Sequence, residues 1–314
     1  MKISVVVPTY NRKELIARTL KTLFAQDCPA SDYEIIVVVD GSTDGTAEAL
    51  RGLSSPCTFR VVEQANRGPA GARNTGAREA QFELILFLDD DMQCPPDLVA
   101  AHLAAHRSAP PTIAFGALRP SAESPRTLAA ACFEREFAPR ALEWKLETGP
   151  GWQDLFCIFS NTSLPRDLLL EHGGFDESFR TREDLELSYR LLRAGVQAVN
   201  LPHAVAFQYY DKSTRALLRD ARAFADADVR FARKYPENRI QGQLNWLAEQ
   251  PREKQQTQRL ALAAPWLADC LLVPACWLGQ MCIGIAPFRV LGMRALILRR
   301  RLRWLLRVRE LTKG

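Results

Sequence analysis

Histidine and paired cysteine are what this chain has least of. Only four histidines occur in 314 residues (His102, His106, His172 and His203). None stands at ligand spacing with a cysteine pair, which argues against a zinc module. The eight cysteines, at 28, 57, 94, 132, 157, 270, 276 and 282, include no C-x-x-C pair and no dense cluster. They read as reduced, mostly buried small apolar residues of a cytosolic protein. His102 and His106 lie four apart, but no Glu adjoins His102, so a solvated helix surface is expected for both. A secretory signal is not expected either, because the apolar run after Met1-Lys2 ends at Pro8. Internal repeats and low-complexity stretches are also missing.

What is present is an ordinary globular composition, 47% hydrophobic and 25% charged, with room for one large α/β domain and a smaller appendage. The net charge of +5 is unevenly spread. From Cys270 onward there are nine basic residues and one acid, Glu310, leaving 32 basic and 35 acidic residues before it, a net charge of −3. An acidic body argues against nucleic acid as a partner. A basic tail suits an anionic membrane surface.

Apolar periodicity predicts strands over 3–7, 34–39, 59–62 and 84–88, alternating with helices over 12–25, 43–50 and 69–80. Such alternation predicts a doubly wound sheet that binds ligands at the carboxyl ends of its strands. Beyond residue 110 the pattern loosens. Strands are expected over 113–118 and 156–164. Helices are expected over 166–172 (stopped by Gly173-Gly174), 184–194 and 216–235.

Acidic residues fall where that fold would bind a ligand. Asp40 follows the second strand, and Asp89-Asp90-Asp91 follow the fourth. Three adjacent carboxylates repel one another unless a positive charge joins them. A hard cation such as Mg²⁺ or Mn²⁺ takes one or two carboxylates plus substrate phosphates, and a departing diphosphate needs such a cation. A solvated acidic loop is the alternative. Asp40 to Asp44 does not open an EF-hand, because Arg51 stands where the twelfth-position Glu belongs. Gly68-Pro-Ala-Gly71-Ala-Arg73-Asn74-Thr-Gly76 fits neither a P-loop nor a dinucleotide fingerprint. It reads as close helix–sheet packing, or as an anion site with Arg73. Glu183-Asp184 is either a helix cap or a general base, and Glu186–Arg190 an i,i+4 surface pair.

Together these segments resemble the inverting family 2 glycosyltransferases of GT-A fold. The matching text is Val5-Val-Val-Pro-Thr-Tyr-Asn-Arg12, Glu34 to Thr46, Asn66 to Gly76, Phe87-Leu-Asp-Asp-Asp91, Gly173-Gly-Phe-Asp-Glu177 and Glu183 to Arg190. The resemblance implies a Rossmann-like mixed sheet flanked by helices over residues 1–240, with a nucleotide-binding half (1–110) and an acceptor half (111–240). It implies a nucleotide-diphosphate sugar donor, Mg²⁺ or Mn²⁺, and a saccharide or lipid-linked acceptor. Pro8, Thr9 and Asp40 would hold the nucleotide base, Asp89 the ribose and Asp91 the metal. Arg73 would lie near the donor, and Asp184 would deprotonate the acceptor. Trp152, Asn161 and Glu183 are placed on the acceptor side.

Two departures stand out. Val39-Asp40 replaces a common pair of aspartates, and Gln208 stands where many relatives carry a metal-assisting His, with His203 five residues earlier. Two other classes fit the sequence less well. A sugar nucleotidyltransferase would need a Gly- and Lys/Arg-rich loop after the first strand, where Thr9-Tyr10-Asn11-Arg12 stands. A non-catalytic membrane scaffold sits badly with intact Asp91 and Asp184.

Residues 241–314 form a helical tail outside the resemblance. The uncharged run 271–288 is near the minimum for a span, and the Arg-rich segment with Trp304 suits an interfacial helix. A packed helical hairpin is the alternative. Membrane association at the cytoplasmic face is expected.

Overall fold

A computed structural model describes residues 1–107, 112–137, 159–237 and 262–312. It divides into two compact units, Met1–Glu123 with Phe137–Tyr209, and Ser124–Glu136 with Tyr210–Gly314. The domain boundary expected near 240 lies outside the described residues.

The first unit is built on one mixed sheet. Strands β1 (Ile3–Thr9), β2 (Tyr33–Asp40), β3 (Thr58–Gln64), β4 (Leu84–Leu88), β5 (Met92–Gln93), β6 (Thr112–Pro120), β7 (Asn161–Pro165) and β8 (Gln197–Gln208) lie in the order 3-2-1-4-7-6-8-5. β3, β2, β1 and β4 run parallel. β7 is antiparallel to β4 and β6, β8 is parallel to β6, and β5 is antiparallel to β8. Successive side chains of β1 point to opposite faces. Ile3, Val5 and Val7 pack with Ile16 and Leu20 of α1 (Lys13–Leu23), whereas Val6 packs with Ala70, Ala72 and Ala77 of α3 (Gly68–Glu79). A Cβ on Gly76 would lie 2.2 Å from Val6 Cγ1, so α3 approaches β1 this closely only with glycine there.

Several local expectations change. α2 spans only Thr46–Arg51 rather than 43–50, and Asp44 accepts from the Thr46 N–H at its start. α4 (Leu98–Arg107) buries both His102 and His106, at 0% and 5% exposure, so neither lies on a solvated surface. Their partners are on β7, beyond the reach of a local pattern. After α6 (Arg166–Glu171), Gly173 and Gly174 adopt positive φ and their N–H groups close the helix on Leu170 and Leu169. α7 (Glu183–Arg193) presents Glu186 at 0% exposure. Glu186 is therefore buried and Arg190 half-buried, rather than both on the surface, and Arg190 also donates to the carbonyls of His172 and Gly174.

The second unit is helical: α5 (Leu128–Phe137), α8 (Thr214–Lys234), α9 (Pro265–Met281) and α10 (Ala286–Thr312). Ser213 caps α8, and Asp228 of α8 accepts from the Trp304 indole of α10. The uncharged run is not one helix. It breaks at residues 282–285, and α9 and α10 cross where Gly279 meets Gly292. Among the described residues, no helix is long and apolar enough to cross a membrane.

Candidate active site

Two strand ends of the parallel half carry the acidic groups. At the end of β2, Asp40 accepts from Gln64 Nε2 (2.7 Å), Arg67 N–H (2.8 Å) and Gly68 N–H (2.8 Å). No side chain of α3's own N-cap residue caps it, so Asp40 does so from the neighbouring loop. An anion is favoured there by the unpaired amides and the helix dipole. The sequence reading gave Asp40 a ligand role and missed this one.

At the end of β4 the three aspartates have three different surroundings. Asp90 is buried and accepts from the Thr9 hydroxyl (2.7 Å) and from Arg12 Nη1 (2.9 Å). Thr9 therefore faces Asp90, and Pro8 sits behind it, in register with Val38 of β2. Asp91 accepts from Arg12 Nη1 (2.9 Å) and Gln208 Nε2 (3.1 Å). Antiparallel pairing of β5 with β8 places Gln208 there, and the Tyr209 N–H closes on Asp91 O (2.8 Å). Burial, with Asp89 and Asp90 alongside, raises Asp91 to about 7, and the Arg12 charge pulls against that rise. Asp90 is raised in the same direction, by burial first. Arg12 is held protonated by the two carboxylates despite its own burial. Sequence reasoning missed Arg12 as their partner, although a basic residue just after β1 was the available signal.

Asp89 turns the other way. It accepts from Ser160 Oγ (2.6 Å) and from Arg73 Nη2 (2.8 Å), and Arg73 Nη1 donates to Glu183 (2.6 Å). One buried guanidinium thus joins the β4 loop to the first turn of α7. Burial opposes the Arg73 charge, but Asp89, Glu183 and Asp184 together raise its pKa. Glu183 is therefore a buried ion-pair partner, not a group offered to an acceptor. Asp184 follows it. Its carboxylate accepts from the Leu185 N–H (2.8 Å), and burial plus the Glu183 charge raise it to about 7. Arg182, just before this pair, has φ +64°, a left-handed conformation that non-glycine residues adopt at a cost.

Asn161 needs correction. It is 1% exposed, and its amide donates to the carbonyls of Ala117 (3.1 Å) and Ala204 (2.9 Å). The β6–β8 register slips between Gly116 and Ala117, and Asn161 fills that irregularity rather than meeting an acceptor. His102 Nε2 bonds Asn161 Oδ1, and His102 Nδ1 and His106 Nε2 both meet Ser163 Oγ. Trp152 lies outside the described residues.

The described residues contain no group of three or more His, Cys, Asp and Glu side chains able to hold a metal by themselves. They do fit a cation that substrate helps to hold. Asp91 is a buried oxygen donor whose charge is disfavoured even beside Arg12, and a half-turn of the Gln208 amide would present a second oxygen.

A mixed sheet of this order, with carboxylates at the ends of β2 and β4, is the GT-A fold of sugar transferases. The model of the family described as Glycosyl transferase family 2 matches residues 4–171, just over half of the chain, and the chain belongs to that family. Validoxylamine A glucosyltransferase of Streptomyces hygroscopicus subsp. jinggangensis is 34% identical over 220 residues, covering 62% of this chain. The chain spans about half of that relative, with 52% of its length matched. Poly(ribitol-phosphate) beta-N-acetylglucosaminyltransferase TarS of Staphylococcus aureus is 38% identical over 93 residues, 29% of this chain and 16% of its own. Among solved structures, mannosyltransferase PcManGT from Pyrobaculum calidifontis, in complex with GDP-Man and Mn²⁺, superposes with a TM-score of 0.66. It is 22% identical, and the match covers 100% of this chain and 88% of that one. S. aureus TarS 1–349 in complex with UDP-GlcNAc gives 0.56 at 16% identity, over 96% and 90% of the two chains. At such identities the likeness speaks for the fold.

Proposed function

We propose that this protein transfers a sugar from a nucleotide-diphosphate donor to an acceptor hydroxyl with inversion, in the synthesis of a polysaccharide or glycolipid. The observation that carries this reading is Arg73, which holds Asp89 and Glu183 on one guanidinium. The loop proposed to meet the donor and the turn proposed to carry the base are thereby fixed against each other. GDP-Man and UDP-GlcNAc in the two structural neighbours support a nucleotide-sugar donor.

In this reading Pro8, Thr9 and Asp40 border the base, and Asp89 meets the ribose. Asp40 keeps one more lone-pair position beyond the three bonds it accepts. Mg²⁺ or Mn²⁺, held by Asp91 with Gln208 beside it, would neutralise charge on the departing diphosphate. Asp184 takes the acceptor proton, and its pKa of about 7 suits a base that works near neutrality. Arg182, the Leu185 N–H and then Arg73 favour ionised Asp184 against the repelling Glu183 charge. The acceptor is a saccharide or a lipid-linked sugar, met at the cytoplasmic face of a membrane.

Thermal-shift measurements against a panel of nucleotide sugars, with and without Mn²⁺, test the donor class. A donor at 100 times its Kd stabilises by about 2.7 kcal/mol. Stabilisation by one nucleotide sugar that needs Mn²⁺ and vanishes in Asp91→Ala is the expected result. A metal-independent response in both proteins would remove Asp91 from its role.

A further inference from the structure

We infer that the outward face of α9 is a lipid-docking surface that lies in the plane of an anionic membrane. This rests on the membrane placement above but assigns it to a different element from the Arg-rich helix that the sequence singled out. A surface helix in water normally turns its polar side outward. α9 does the reverse. Trp266, Leu271, Trp277 and Met281 are 66%, 77%, 65% and 66% exposed, and no charged residue interrupts them. The polar and small residues point inward. Asp269 accepts from Arg299 Nε (3.0 Å) and Arg303 Nη2 (2.6 Å) of α10, and Gly279 packs on Gly292.

The stripe from Trp266 to Met281 runs about 22 Å along the axis at 1.5 Å per residue. The 17-residue helix, about 26 Å long, falls short of a hydrocarbon core of about 30 Å. A crossing would also carry the Asp269 carboxylate into lipid. An in-plane position meets both limits, with tryptophans at the interface and the apolar side down. Isolated apolar side chains on a surface are ordinary, but a continuous stripe marks an interaction site.

Charge selects the occupant. α10 carries eight arginines against one acid, Glu310. Its exposed stripe alternates Leu291, Arg294 and Leu298, with Arg289 exposed at the hairpin end. A two-fold dimer over this face would bring two like-charged copies of α10 together, which is unfavourable. Anionic headgroups would neutralise them, and each arginine near such a surface strengthens attachment several-fold.

The test is co-sedimentation of the full chain with phosphatidylcholine vesicles, with and without 30 mol% phosphatidylglycerol (on the order of a biological anionic fraction), while tryptophan emission is followed. The wild type should bind anionic vesicles at least about tenfold more tightly than neutral ones, with a blue shift, and salt should weaken binding. Leu271→Glu/Trp277→Glu should lose that binding by about tenfold or more with an unchanged circular dichroism spectrum. Arg289→Glu/Arg294→Glu should lose the preference for anionic lipid. Absence of vesicle binding by the wild type, or equal binding by Leu271→Glu/Trp277→Glu, overturns the inference. So does a dimer in solution that this double variant dissolves. Nucleotide-sugar binding on the same preparations reports the transferase reading separately.

Discussion

Arg73 offers the sharpest single perturbation. Its guanidinium side chain is 7% exposed, and it lies between Asp89 at 26% and Glu183 at 9%. Arg73→Met keeps the length and removes the charge. Breaking a buried pair by deleting one partner costs about 3–5 kcal/mol. Asp89 keeps its Ser160 hydrogen bond and some water contact, so the lower end, about 3 kcal/mol at pH 8, is expected. Acidification neutralises the stranded carboxylates, so the loss should shrink as pH falls toward the carboxylate range. Arg73 also pulls the Asp184 pKa down, so any residual activity should need a higher pH than in the wild type. Urea midpoints at pH 8 and pH 5, with a pH–rate profile on the same protein, measure both effects. The Phe175 ring lies 5.7 Å from the guanidinium carbon. An equal loss at both pH values would mean that Arg73 acts through packing on this ring, and would refute the electrostatic argument.

Three further outcomes follow from the geometry. Gly116→Ala should destabilise by about 3 kcal/mol or prevent folding, because its Cβ would lie 2.1 Å from Asn161 Nδ2 and 2.5 Å from Ala204 O; soluble yield and urea midpoint check this. Burial lowers the pKa of His102 from 6.5 to about 4. The neutral ring is favoured in the fold, so its contribution is complete above pH 6.5 and is lost as pH falls toward 4, up to about 3 kcal/mol. A His102→Gln variant should show a flatter stability–pH curve over that window. Gln208→Ala should raise the Mn²⁺ concentration for half-maximal activity about tenfold, and an unchanged requirement would show that Gln208 plays no part there.

Much of the parallel half was readable because β1, β2 and β4 are largely apolar runs, interrupted near their starts only by Ser4 and Glu34, that end in Thr9, Asp40 and Leu88, and a buried parallel strand needs little else. β8 was missed for the opposite reason. Pro202 and His203 interrupt it at the register slip, so no alternation survives in the sequence. β5 is two residues long and exists only through its pairing with β8.

The site divides in the same way. Asp91 and Gln208, both singled out through the family pattern, meet in space. Asp40's hold on α3, Arg12's hold on Asp90 and Asp91, and Arg73's double ion pair are all long-range. They span 28, 79 and 110 residues, respectively, in their farthest bonds. His102 and His106 looked solvated because alanines surround them in sequence, yet Ser163 and Asn161 receive them in the core. Local pattern gives no warning of a partner that far away.

Donor affinity and turnover measured on one preparation of Asp184→Asn reach the heart of the account. The substitution keeps the shape of the side chain and removes its capacity to take a proton. The donor should bind within about threefold of the wild-type affinity, while transfer falls by about 10³-fold or more, in keeping with the 10²–10⁴-fold that a general base commonly supplies. Transfer at the wild-type rate by the Asn variant, with the donor bound, would contradict it.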